Sequence, residues 1–163
     1  MRDFELSVSS LLNGVDRATN FVLEGVLPDL YVTSSRVPKD ALIRVEGRAE
    51  AVGEGILVTW TLSTRYEAEC VRCLGAIAGD LEGEARELFV EGDDTEDQYG
   101  FRGEVLDLSV AIADLCVLLL PPVPLCRADC KGLCQHCGAD LNEGSCGCSQ
   151  ETSDPRWAAL DQL

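Results

Sequence analysis

Three features of this 163-residue sequence predict an α+β architecture built on an antiparallel β meander able to curl toward a barrel. The chain between Leu42 and Val90 alternates apolar and polar residues, the period of a half-buried strand. One amphipathic helical pattern follows from Leu108 and stops at Pro121-Pro122. Beyond it, six cysteines fall within 23 residues among scattered glycines. The expected layout is a β-rich unit with its covering helix over residues 1–125. A zinc-knuckle segment with a short helical tail is expected over 126–163.

Taken in order, Phe4-Glu5-Leu6-Ser7-Val8 alternates like a short strand, while Leu6 to Asn13 could equally form a short helix ended by Gly14. Phe21 to Leu27 reads as a strand, and the stretch bracketed by Pro28 and Pro38 carries no assignable period. From Leu42, Ile43, Val45, Gly47, Ala49 and Ala51 alternate with Arg44, Glu46, Arg48 and Glu50. Gly53-Glu54-Gly55 supplies a turn, and the chain returns with Ile56, Val58, Trp60, Leu62, Tyr66 and Ala68 on one face, which makes a long hairpin. A third strand, Ile77 to Val90, turns Leu81, Gly83, Ala85 and Phe89 inward and Asp80, Glu82, Glu84 and Arg86 outward. In the helix, Leu108, Ala111, Ile112, Leu115, Leu118 and Leu119 recur at steps of three and four, with Asp107 as the N-cap. Asp154-Pro155 opens a last short helix carrying Trp157, Leu160 and Leu163, which folds back on the domain or docks on a partner.

Charge narrows the possible partners. Asp and Glu number 29 against 13 Lys and Arg, a formal net charge of −16. Such a chain repels nucleic-acid phosphate and anionic membranes, and it more naturally meets a basic partner. Residues 80–107 hold eleven acids and two bases, and the middle of that stretch reads as a solvated loop. A calcium loop at Asp93, Asp94, Glu96 and Asp97 is the sharper alternative, but the spacing does not match an EF-hand. The start lacks a secretory signal, and the longest apolar run, Leu115 to Leu125, is too short and too proline-broken to span a bilayer. A cytoplasmic protein is expected. Nine cysteines in a reducing compartment then mean metal, redox chemistry or burial.

Zinc takes four soft ligands at tetrahedral corners, and two cysteines two residues apart can reach one ion from a tight turn. Cys134, Cys137, Cys146 and Cys148 form the compact local set, with Gly138 after the second thiol. Cys126 and Cys130 are left over, as are Cys70 and Cys73 at the turn between the second and third strands. Joining these pairs gives a second four-sulfur site, so two structural zinc ions are expected and one at minimum. Against this, Cys70 shares a face with Tyr66 and Ala68, where burial alone would suffice. Cys116, near the helix stripe, reads as a small buried hydrophobe. His136, the sole histidine, could replace one cysteine, but exposure on the knuckle fits it better. A four-thiolate ion has no open position, and neither a P-loop, a dinucleotide fingerprint nor a nucleophile–base pair stands out. No catalytic residues, enzymatic activity or small-molecule substrate are expected.

Certain motifs in sequence resemble a known family. They are Cys70-Val71-Arg72-Cys73 after a long hairpin, then Leu120-Pro121-Pro122-Val123-Pro124-Leu125-Cys126, Lys131-Gly132-Leu133-Cys134, Cys137-Gly138-Ala139-Asp140-Leu141-Asn142 and Asp154-Pro155-Arg156. Their order resembles the YceD family, the large ribosomal RNA subunit accumulation proteins, over nearly the whole chain. The resemblance implies a bacterial or plastid protein, cytoplasmic or stromal, without enzymatic activity, whose gene often neighbours that of a small basic zinc-ribbon protein of the large subunit. It also implies a branch that keeps the counterparts of Cys70, Cys73, Cys126 (as histidine) and Cys130 without the last four thiols, which favours two separate sites. The functional expectation is a ribosome-biogenesis factor whose acidic surface holds a basic ribosomal protein or assembly factor. Two rivals are a zinc protein that binds rRNA directly through Arg127, Lys131 and His136, and a thiol or zinc redox sensor.

Overall fold

Residues 3–95 and 98–148 are described by a computed structural model of the chain. The helix expected from Asp154 lies outside the described residues. Period-two patterning becomes β5 (Ile43–Val52) and β6 (Gly55–Glu69), paired antiparallel from Arg44 opposite Ser63 to Val52 opposite Gly55. β7 (Ala76–Glu91) continues the meander, with Ile56 opposite Phe89 and Glu69 opposite Ala76. β2 (Ala18–Gly25) flanks β5 on the other side.

At the N-terminus both readings are realised in turn: β1 (Glu5–Ser7) is followed directly by α1 (Ser9–Leu12). The unassigned proline-bracketed stretch folds into β3 (Tyr31–Val32) and β4 (Ser35–Arg36), and β4 pairs with β6 at Glu67 and Ala68, beyond the end of β5. Part of the acidic stretch folds as strand where a solvated loop is expected. β8 (Tyr99–Phe101) pairs parallel with the end of β7, where Phe89 and Tyr99 stack with ring centroids 5.4 Å apart. Asp93 and Asp94 serve this turn: Asp94 Oδ1 accepts from the Gly100 amide at 2.7 Å, and Asp93 pairs with Arg102 at 2.5 Å, while Glu96 and Asp97, the other two acids of the calcium alternative, lie outside the described residues. β9 (Val105–Asp107) pairs with β1 in a separate ribbon.

The expectation that the sheet curls into a barrel is not met. Strand pairing among the described residues ends at β2 on one side and at β7 and β8 on the other, with no ladder joining them. The reason lies in what covers the apolar face. Phe4, Val8, Leu11, Leu106, Leu108, Ile112 and Leu115, from α1, the β1–β9 ribbon, α2 (Ser109–Leu119) and the residues flanking them, cluster with Ile43, Val45, Val58, Trp60 and Phe89 of the sheet. With that face covered, closure has no apolar area left to bury.

Helix α2 begins at Ser109, so Leu108 rather than the expected Asp107 holds the N-cap position, although Asp107 Oδ1 still accepts from the Ser109 amide at 2.9 Å. It buries Ala111, Ile112, Leu115 and Cys116. Leu118, expected on the apolar stripe, is 81% exposed, and its neighbour Leu119 makes the contact instead. That contact needs Gly83 of β7, where a Cβ would come within 2.4 Å of the Leu119 side chain. No helix among the described residues is long and apolar enough to cross a membrane.

Candidate metal centres

β6 ends where the first knuckle starts. Cys70 follows Glu69, its amide bonds the Gly75 carbonyl at 2.9 Å, and the Leu74 amide returns to the Cys70 carbonyl at 2.8 Å. The second knuckle repeats this pattern. The Cys134 amide bonds Ala139 O at 2.8 Å, and the Gly138 amide bonds Cys134 O at 2.9 Å. Both turns place the residue after the second cysteine in the left-handed region, Leu74 at φ 59° and Gly138 at φ 72°. Two segments 64 positions apart thus share one backbone solution, which points both thiols of each pair to the same side of the turn.

The partner thiols arrive through the segment after α2. Ser35, the buried hydroxyl of β4, donates to Pro121 O at 2.5 Å, and the Val71 amide bonds Pro124 O at 3.0 Å. These bonds lay the proline run beside the first knuckle. Arg72 then holds the next turn, donating to Cys130 O at 2.8 Å while its own carbonyl accepts from the Leu133 amide at 3.0 Å.

The eight expected ligands gather into two groups, Cys70 with Cys73, Cys126 and Cys130, and Cys134 with Cys137, Cys146 and Cys148. Within each group the sulfurs lie within 4.8 Å of one another. In the first, Cys70 and Cys130 Sγ are 3.8 Å apart and Cys73 and Cys126 Sγ are 3.6 Å apart. A tetrahedral ion with metal–sulfur bonds of about 2.3 Å requires edges of about 3.8 Å. The donor set and its dimensions therefore fit a four-thiolate ion, and both groups could hold one. Cys70 is fully buried as well as clustered, so the burial and ligand readings hold together. Cys116 stays apart in the core, its thiol pushed up to about 11 by burial. His136 is exposed and joins neither group.

The electrostatics point the same way. In the first group, backbone amides near Cys126 and Cys73 lower the Cys70 thiol to about 6. Cys130 is also lowered: burial opposes its ionisation, but the Asn142 side chain and the Gly132 amide outweigh that. Cys126 is pushed up to about 12, chiefly by the Cys130 sulfur. Cys73 rises: the Gly75 amide is the largest single influence and lowers it, but the Cys70 and Cys130 sulfurs and burial together outweigh it. In the second group the amides of Cys137 and His136 lower Cys134 to about 6, while the Cys137 sulfur raises Cys148 to about 12. The backbone thus supports negative charge on Cys70, Cys130 and Cys134, while neighbouring sulfurs oppose it on Cys126 and Cys148, the pattern a bound cation would relieve.

Asn142 is the functional residue that spacing missed. It lies in the loop between Cys137 and Cys146, yet its Nδ2 donates to Cys130 Sγ of the first group at 3.4 Å. Its Oδ1 accepts from the Lys131 amide at 2.8 Å and from Arg127 at 2.7 Å. Asp140 Oδ1 fixes its orientation by accepting from Nδ2 at 2.7 Å and from the Asn142 amide at 2.8 Å. One side chain thus joins the two centres. Its only sequence signal was its place in the Cys137–Asn142 motif.

Comparison with known proteins adds the family context. The family model described as large ribosomal RNA subunit accumulation protein YceD matches residues 58–163, from the second strand of the hairpin through both cysteine groups. An uncharacterized protein of Mycobacterium tuberculosis is 37% identical over 134 residues, covering 78% of this chain. The chain spans 64% of that relative's length. A chloroplastic protein of Arabidopsis thaliana, named large ribosomal RNA subunit accumulation protein YCED homolog 1, is 39% identical over 122 residues, 70% of this chain and 38% of the relative. The uncharacterized protein YlbN of Bacillus subtilis is 26% identical over 142 residues, 84% of this chain and 83% of its own. No solved structure matches the chain.

Proposed function

The chain belongs to the YceD family of large ribosomal RNA subunit accumulation proteins, and from that premise we propose that it is a non-enzymatic ribosome-biogenesis factor whose acidic surface holds a basic ribosomal protein or assembly factor. In this reading the two sulfur groups bind zinc, each closed by four thiolates, and a bound ion supplies cross-linking rather than chemistry. The protein acts in the cytoplasm, where its thiols stay reduced.

The charge carries this reading. At −16 the chain repels RNA phosphate, whereas a ribosomal protein awaiting its RNA is a dense cation that this surface attracts. Of the cations considered for direct rRNA contact, Arg127 supports a protein partner instead, since it is engaged by Asn142 Oδ1 at 2.7 Å and by Asp129 at 3.5 Å. Complementary charge would make the encounter fast and sensitive to salt.

The test is a pulldown with the full chain at low and high salt, with and without ribonuclease. A basic protein retained at low salt, released at high salt and indifferent to ribonuclease is the expected result. Recovery of rRNA fragments with no basic protein would reject the proposal. In that case replacing Arg127 and Lys131 should abolish a gel shift.

A further inference from the structure

A strand at a sheet edge presents a row of unpaired amides and carbonyls to any chain that can lie beside it. β7 is such a strand. It pairs with β6 from Ala76 to Phe89, but on its other side β8 reaches only Phe89, Val90 and Glu91. From residue 76 to residue 88 no described segment hydrogen-bonds to that outer side, leaving a template about 40 Å long.

The same strand holds the charge that its sheet leaves unanswered. On the open face, Arg44 pairs with both Glu24 and Glu46, Arg48 with Glu50, and Arg36 with Glu67. Asp80, Glu82 and Glu84 of β7 are exposed on that face at two-residue spacing and have no ion pair; Arg65 opposite Asp80 is taken by Asp40, and Arg86 beyond Glu84 is the one cation of β7 on that face. Just inboard of them is a hollow of about 460 Å³, floored by Thr61 and Ser63, with Glu82 and Glu84 on its β7 side and the Arg44–Glu46 pair on its β5 side. A cationic side chain reaching in over the edge would meet the unpaired carboxylates of Glu82 and Glu84.

We infer that the outer edge of β7 takes up an extended basic segment of the partner as an added strand, with lysine or arginine at alternate positions over Asp80, Glu82 and Glu84. The inference rests on the basic-partner reading above and gives it a location. Charge selects this occupant over two others. A second copy paired through the same edge would set acid against acid. The chain's own residues 149–163 carry three acids and one base, so they too are repelled.

The probe is a short synthetic peptide alternating lysine and valine, compared with the same peptide N-methylated at every backbone amide. Methylation keeps the charge and removes the donors that a strand needs. The unmodified peptide is expected to bind the full chain and to protect the outward amides of β7 from hydrogen exchange. The methylated peptide should bind at least about tenfold more weakly, as should the unmodified one to the Asp80→Asn, Glu82→Gln, Glu84→Gln variant. Equal affinity of the two peptides would overturn strand addition while leaving electrostatic capture of a basic partner intact. Binding of neither would overturn the edge site, and the salt-dependent pulldown then judges the wider reading by itself. Outward amides already protected in the free chain would also overturn it. Sedimentation would then assign the edge to the chain's own tail in a monomer or to a second copy in a dimer.

Discussion

Leu74 and Gly138 occupy the same position in two copies of one knuckle, both left-handed, but only one of them is glycine. A side chain in that region clashes with its own backbone, at a cost of about 1–2 kcal/mol, part of which glycine loses again to a freer unfolded chain. Leu74 is 63% exposed, so little packing compensates. Leu74→Gly is therefore expected to raise stability by about 1 kcal/mol, read from the denaturation midpoint at unchanged metal content. A loss would mean that Leu74 packs on something the knuckle needs. At this scale the sequence was uneven. Gly138 could be read because glycine after a cysteine pair signals a turn, whereas nothing about leucine announces a positive φ. Asn142 was equally silent, because its bond to Cys130 joins two segments whose approach no local spacing encodes.

Elements were legible in proportion to their length. β5, β6 and β7 each repeat the two-residue period at least five times, and α2 ends at a proline pair that no helix crosses. β3 and β4, at two residues each, and β8, at three, are too short for any period to register, and partners distant in sequence define them. Closure was misjudged for a related reason. Alternation shows that one face is dry but not whether another strand or a helix covers it. The apolar cluster is built from the sheet, α1, the β1–β9 ribbon and α2, without the segment from Cys126 to Cys148. That segment depends on its sulfur centres rather than on a core. Stripping metal with a chelator under reducing conditions should raise amide exchange at Leu133, Cys134, Gly138 and Leu141 by about a hundredfold or more. The β5–β6 ladder should stay protected. Loss of both together would show that the centres also hold the sheet.

At the scale of the whole molecule, the chain is an acidic scaffold stapled at one end by sulfur. Cysteine spacing alone identified the compact second group. The first needed a guess across 52 residues between Cys73 and Cys126, which the return of the chain past β4 makes good. Filling both centres would deepen the formal charge from −16 to about −20, so metal loading strengthens rather than relieves the attraction for a cationic partner. Native mass spectrometry of the full reduced chain asks whether that scaffold exists as described. Two zinc ions per chain are expected, falling to one in Cys70→Ser and to one in Cys134→Ser. A single ion in the unaltered chain, or none with the eight clustered cysteines joined in disulfides, would contradict it.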